Sequence, residues 1–192
     1  MSRVLGITGG IGAGKSRICS VFAEFGCKVY DSDARTKQLY ADNRQLQSGL
    51  VEILGKDILK DGVLDRKAMA NLIFSDKLLM AEVKKLVYPF VMADFVGWKR
   101  YKRGVVVFES AVILENEYVR SFMDKVLVVT APLDLRIRRV MKRDAVSEAE
   151  VRRRLENQIS DEQRISMADF VIESIDGNDI EGEVRNILKK MK

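Results

Sequence analysis

Arg3-Val4-Leu5-Gly6-Ile7-Thr8-Gly9-Gly10-Ile11-Gly12-Ala13-Gly14-Lys15-Ser16 is the stretch whose reading decides the fold. Residues 3–8 form a short apolar run with β-branched members that ends in glycines, which predicts a buried strand. Residues 9–16 match the spacing G-x-x-x-x-G-K-[ST] of a phosphate-binding loop. Glycines at 9, 10, 12 and 14 let the backbone turn tightly and aim its N–H groups at phosphate oxygens. Lys15 supplies a point charge to the β- and γ-phosphates, and the Ser16 hydroxyl can ligate Mg²⁺. A dinucleotide-binding reading is weaker, because the third glycine position of G-x-G-x-x-G holds Lys15.

Downstream of the loop, Ile18, Val21, Phe22 and Phe25 recur with helical spacing, and Gly26 is placed to end that helix. Strands are predicted at residues 28–31, 105–109, 126–130 and 170–173, and amphipathic helices at 133–143 and 180–191. Strands alternating with helices, several apolar on both faces, predict an α/β fold with a five-stranded parallel sheet flanked by helices. Residues 34–101 interrupt the alternation with a mostly helical pattern, punctuated by turn signals at Asp61-Gly62 and Pro89. The expected organisation is a core of residues 1–33 and 102–192, with residues 34–101 inserted.

Composition removes whole classes of chemistry. The 192-residue chain has no histidine, so no His base, triad or His metal site exists. Its two cysteines, Cys19 and Cys27, are too few for a structural zinc site or a disulfide framework, and are expected to be buried free thiols. The longest uncharged stretch, residues 4–14, is too short to span a membrane and is broken by five glycines. The expected location is cytoplasmic, with no membrane partner. The net charge of +5 is matched by residues 136–154, where eight basic side chains accompany only Asp144, Glu148 and Glu150. Such a concentration suggests a polyanionic partner, either a nucleic acid or a phosphorylated small molecule. That stretch has no aromatic residue, which disfavours a single-strand nucleic-acid platform.

Carboxylates are expected at the carboxyl ends of the strands, where open parallel sheets bind ligands. Asp31-Ser32-Asp33 follows the second strand; one carboxylate can take a proton from a substrate hydroxyl, and Asp33 can equally cap the next helix. If the strand continues through residue 33, Asp31 and Asp33 share a face. Glu109 ends the third strand and can hold Mg²⁺ through water, or be a surface acid. Arg136, Arg139 and Arg143 fall on one helical stripe, either as a phosphate clamp or as a solvated face. The polar stretch 144–163 is the expected mobile lid over ATP.

At this point the chain resembles the dephospho-CoA kinases, phosphate-loop enzymes of the nucleoside-monophosphate-kinase type. The resemblance rests on residues 8–16, Asp31-Ser32-Asp33-Ala34, Leu64-Asp65-Arg66-Lys67-Ala68, Ile73-Phe74 and Tyr88-Pro89. It continues in Val140-Met141-Lys142-Arg143-Asp144, Gln158, Arg164 and Ala168-Asp169-Phe170-Val171-Ile172. It implies ATP-dependent phosphorylation of the ribose 3′-hydroxyl of dephospho-CoA, with Mg²⁺, by a monomer or weak oligomer needing no nucleic acid. Residues 34–101 become a CoA-binding region and Asp33 the base. Gly12, Ala13, Gly14, Lys15, Ser16 and Arg17 hold ATP, with Lys15, Arg139 and Arg143 acting on its phosphates. Thr8, Asp31, Asp33, Arg66, Lys67 and Tyr88 fall to the acceptor, and Ser16 and Glu109 to the metal. This chain departs from the family pattern at Arg17, where Thr is frequent, at Tyr88, where His is usual, and at Ser174, where Asn is common. The competing classes are another small-molecule kinase, for nucleoside monophosphates or shikimate, and a nucleic-acid-stimulated ATPase.

Overall fold

Five strands carry the core: β1 (Arg3–Thr8), β2 (Lys28–Asp31), β5 (Val105–Glu109), β6 (Lys125–Thr130) and β7 (Phe170–Glu173). A computed structural model describes residues 2–60 and 63–191. The strands pair in the order β2-β5-β1-β6-β7, and every pairing is parallel. The register places Ile7 opposite Glu109, and Glu109 opposite Asp31, so the carboxyl ends of β1, β5 and β2 lie side by side.

The hydrophobic pattern explains the layering. Residues 4–8 of β1 are buried on both faces, as expected of a central parallel strand. Ile18, Cys19 and Phe22 of α1 (Lys15–Glu24) and Val184 and Ile187 of α10 (Ile180–Lys190) pack on Leu5, Ile7, Val107 and Leu127. Both cysteines are buried free thiols, as the composition suggested. Gly26, at φ +86°, ends α1 in the left-handed region that a side chain would disfavour.

The chain divides into two units, one of residues 1–31 and 101–192 and one of residues 32–100. Ser32 and Asp33, expected to close the core, thus open the helical unit. Strand β2 stops at Asp31 and α2 (Ser32–Asp42) starts at once, so the shared-face geometry expected of Asp31 and Asp33 does not occur. The helical unit adds α3 (Arg44–Leu54), α4 (Arg66–Ser75), α5 (Lys77–Lys99) and a short antiparallel pair, β3 (Leu59–Lys60) with β4 (Val63–Leu64). The Asp61-Gly62 turn lies outside the described residues.

Pro89 does not end a helix. α5 runs through it for 23 residues. Proline removes one i→i−4 bond, but Val83 and Val87 before it and Val91, Met92 and Phe95 after it are all buried. Packing on both sides holds the helix across the missing bond. The stretch 144–163 is largely helical too: the end of α7 (Leu133–Asp144), all of α8 (Glu148–Glu156) and the start of α9 (Asp161–Ser166). Val151 is fully buried against Ile137 and Val140, so α8 has an apolar seam with α7 inside a mostly charged sequence. Between β5 and β6 lies the short helix α6 (Glu117–Arg120), which the hydrophobic pattern does not announce.

Candidate active site

The loop between β1 and α1 is shaped by its neighbours. Gly9 lies so close to β6 that a Cβ there would stand 2.2 Å from the Val129 carbonyl oxygen, and Gly12 has φ +78° beside the Arg136 backbone. Gly14 caps α1 in a left-handed conformation, and having no side chain it leaves the first N–H groups of α1 for an outside acceptor. Lys15 Nζ lies 3.1 Å from the Gly9 carbonyl oxygen, which folds its side chain back over the loop. Ser16 is exposed at the same helix start. Arg17 is exposed and ion-paired with Asp176 at 3.0 Å, on the core's surface.

Acids stand where the register puts them. Asp31 is exposed at the end of β2, and Glu109 is half-buried beside it at the end of β5. Cys19, one turn into α1, senses this edge. Its thiol pKa is pushed up to about 12, chiefly by burial, with Glu109 adding to the rise, Lys15 opposing it and Asp31 adding a little. Lys15, Glu109 and Asp31 therefore share one electrostatic neighbourhood. Asp33 is exposed in the first turn of α2, inside the helix rather than at its cap position.

Thr8, which the family pattern gives to the acceptor, is fully buried, and its hydroxyl donates to the Ala111 carbonyl at 3.2 Å. It ties the loop after β5 to the end of β1. The arginine stripe is also not uniform. Arg136 is 3% exposed and braces the loop from beneath, with Nε donating to the Ile11 carbonyl at 2.9 Å. Arg139 is half-buried and donates to the Ser174 carbonyl at 2.8 Å. Arg143 is exposed and forks onto Asp144 at 2.7 and 3.0 Å, which raises its pKa and holds the Asp144 carboxyl below the usual range.

Sequence reasoning missed the structural partners of the loop. Gln158 accepts a hydrogen bond from the Ile11 N–H at 3.0 Å. Asp161 pairs with both Arg136 and Arg164. Gln158 and Arg164 entered only as residues of the family resemblance, with no role attached. The Nη1 of Arg139 and the Oγ of Ser174 are buried near Gly14 with no hydrogen-bond partner among the described residues.

Arg66 and Lys67 open α4, where two cations oppose the helix dipole. Asp65 offsets this by accepting from the Lys67 and Ala68 N–H groups at 2.9 and 3.1 Å, bonds that lower its pKa. Arg66 lines a cavity of about 390 Å³ within the helical unit, together with Lys37, Tyr40, Val63 and Leu64. Lys67 is exposed, and Tyr88 is half-buried midway along α5. No group of three His, Cys, Asp or Glu able to hold a metal occurs among the described residues. None of the described helices is long and apolar enough to cross a membrane.

Comparison with known proteins agrees with this geometry. A dephospho-CoA kinase from Bacteroides fragilis is 31% identical over 174 residues, covering 90% of this chain and 84% of its own. One from Porphyromonas gingivalis is 34% identical over 165 residues, covering 85% and 80%. A crystal structure from Thermus thermophilus superposes with a TM-score of 0.86 at 27% identity, covering 100% of this chain and 98% of that one. The dephospho-CoA kinase family model matches residues 3–179, and the chain belongs to that family.

Proposed function

We infer that the chain transfers the γ-phosphoryl group of ATP to the ribose 3′-hydroxyl of dephospho-CoA, giving CoA and ADP in the last step of CoA synthesis. The observation that carries this is the glycine loop running from β1 into α1, with Lys15 and Ser16 at the helix start, inside a family match of residues 3–179. Phosphoryl transfer asks a protein for positioning and charge neutralisation more than for covalent chemistry.

Gly12 to Arg17 receive the ATP phosphates on main-chain N–H groups, and Lys15 neutralises the transferring group. Asp33 takes the proton of the acceptor hydroxyl. Arg139 and Arg143 act on charge that develops in the transition state, which requires Arg143 to leave Asp144. Arg66, Lys67, Asp31 and Tyr88 serve the acceptor, and the cavity beside Arg66 offers apolar surface from Val63 and Leu64 with Lys37, Asp42 and Arg66 as its charged groups. Thr8 supports the loop through its bond to the Ala111 carbonyl.

Mg²⁺ fits the donor set. Ser16 at the start of α1 and Glu109 and Asp31 at adjoining strand ends offer hard oxygen ligands, and such an ion takes only one or two protein oxygens beside phosphates and water. When bound, it spreads the charge of the β- and γ-phosphates. Residues 144–163 close over ATP and exclude water. The protein works in the cytoplasm as a monomer or weak oligomer, without nucleic acid.

A coupled ADP-release assay with a panel of acceptors tests the reading. Release with dephospho-CoA, and not with shikimate or nucleoside monophosphates, is expected. Equal release with any of the others would overturn it.

A further inference from the structure

Both main-chain hydrogen-bonding groups of Ile11, in the middle of the phosphate loop, are held by side chains from outside it. The N–H donates to Gln158 Oε1 at 3.0 Å, and the carbonyl accepts from Arg136 Nε at 2.9 Å. Arg136 itself is locked. It is 3% exposed, and its Nη1 pairs with Asp161. Asp161 also binds Arg164 Nη1 at 3.2 Å, and Arg164, 1% exposed, reaches Glu115 at 3.2 Å through Nη2. The glycines are fitted to this brace: a Cβ on Gly10 would stand 2.1 Å from Arg136 Nη2 and 3.2 Å from Arg164 Nη1.

Two buried guanidiniums and two partly exposed carboxylates make a net-neutral chain, and Arg164 Nε has no hydrogen-bond partner among the described residues. Desolvating two guanidiniums offsets much of what such pairs gain, so they are often no more stabilising than well-packed apolar side chains of similar size. What they supply is direction: a planar fork reaches an acceptor on each edge at once, and an ammonium does not.

We propose that Arg136 and Gln158 are positioning residues which set the phosphate loop by gripping Ile11 from both sides, with Asp161, Arg164 and Glu115 as the anchor. Gln158 lies between α8 and α9, and Asp161 and Arg164 lie in α9. The placement of that segment is thereby written into the loop that holds the phosphates. The inference rests on the loop being the ATP site.

The test uses the full chain as wild type, Arg136→Lys, Gln158→Ala and the double variant. Arg136→Lys keeps the charge and loses the fork. Four readouts are taken: binding of inorganic tripolyphosphate by calorimetry, KM for ATP, KM for dephospho-CoA, and melting temperature. Each single variant should weaken tripolyphosphate binding and raise KM for ATP by about tenfold, the scale of one charge-assisted or well-placed hydrogen bond. KM for dephospho-CoA should stay within about twofold. Because both side chains hold the same residue, the double variant should fall short of the product of the singles. A lowered melting temperature with unchanged tripolyphosphate affinity and KM for ATP would overturn the proposal for that residue. Should Arg136→Lys not fold, Gln158→Ala alone decides, and unchanged affinity there overturns the grip. Failure of the wild type to bind tripolyphosphate or ATP would instead overturn the reading of the loop.

Discussion

At the residue scale, the proposed mechanism gives Lys15 the largest single electrostatic duty. Lys15→Ala should reduce turnover to below about a tenth of wild type, since loss of a charge on the transferring group raises the barrier by several kcal/mol. The melting temperature should barely move, because Lys15 is not a core residue, and a variant with near-normal turnover would remove Lys15 from the mechanism. Asp33 supports a sharper contrast. It is exposed and is not the cap of α2, so Asp33→Asn should leave fold and ATP affinity nearly intact while turnover drops roughly a hundredfold, the scale of a general base. Full turnover would shift attention to Asp31. Cys19 gives a prediction in pH. Its pKa rises from the ordinary 9.0 to about 12 on folding, so the stability linked to its protonated state is complete below pH 9 and is lost as pH climbs toward 12. Chemical denaturation should therefore show a shallower alkaline decline in Cys19→Ala than in wild type. Identical slopes would place the burden on other groups. Residues on the loop were legible because glycine, lysine and serine at fixed spacing have few other uses. Thr8 and Arg136 were not, because a hydroxyl or guanidinium looks the same in sequence whether it meets a ligand or a buried carbonyl.

Elements were legible where periodicity was strong. The strands 3–8, 28–31, 105–109 and 170–173 occur at the predicted residues, since buried parallel strands leave uninterrupted apolar runs bounded by turn residues. The β3–β4 pair escaped notice because two-residue strands have no period to read. Pro89 misled for a physical reason: a local signal for a break lost to tertiary packing along α5. That conflict is measurable. Pro89 is exposed, and Pro89→Ala restores a donor in the helix, so denaturant titration should show the protein more stable by about 1–3 kcal/mol. No gain would mean the helix already accommodates the ring without cost. The α7–α8 seam is the counterpart. Val151→Ala removes two methyls from a fully buried site beside Ile137 and Val140 and should cost about 1–3 kcal/mol locally. Amide exchange in α8 should quicken while that of β1 and β6 stays slow; uniform change across the core would contradict a separate seam.

Charge at the scale of the whole molecule reads differently from charge along the sequence. The basic excess of residues 136–154 pointed to a polyanion, and several of its guanidiniums are paired locally. Asp144 holds Arg143 and Arg154, Glu148 holds Arg152, and Glu150 holds Arg154. These three acids are the ones already set against the eight basic side chains, so the stretch keeps its net positive charge, and the pairing decides only which guanidiniums are held by carboxylates. The division into a sheet unit and a helical unit was foreshadowed by the break in strand–helix alternation. The arginine-carboxylate brace under the loop was invisible, because it joins residues 11, 115, 136, 158, 161 and 164 across chain separations that carry no periodic signal. The most direct test of the central claim is phosphorus NMR of the product made from ATP, Mg²⁺ and dephospho-CoA. The account predicts one new phosphomonoester resonance on the ribose 3′-oxygen, appearing in step with ADP and absent with Lys15→Ala. ADP appearing with only inorganic phosphate as its partner, or a phosphoryl group on any other oxygen of the acceptor, would contradict it.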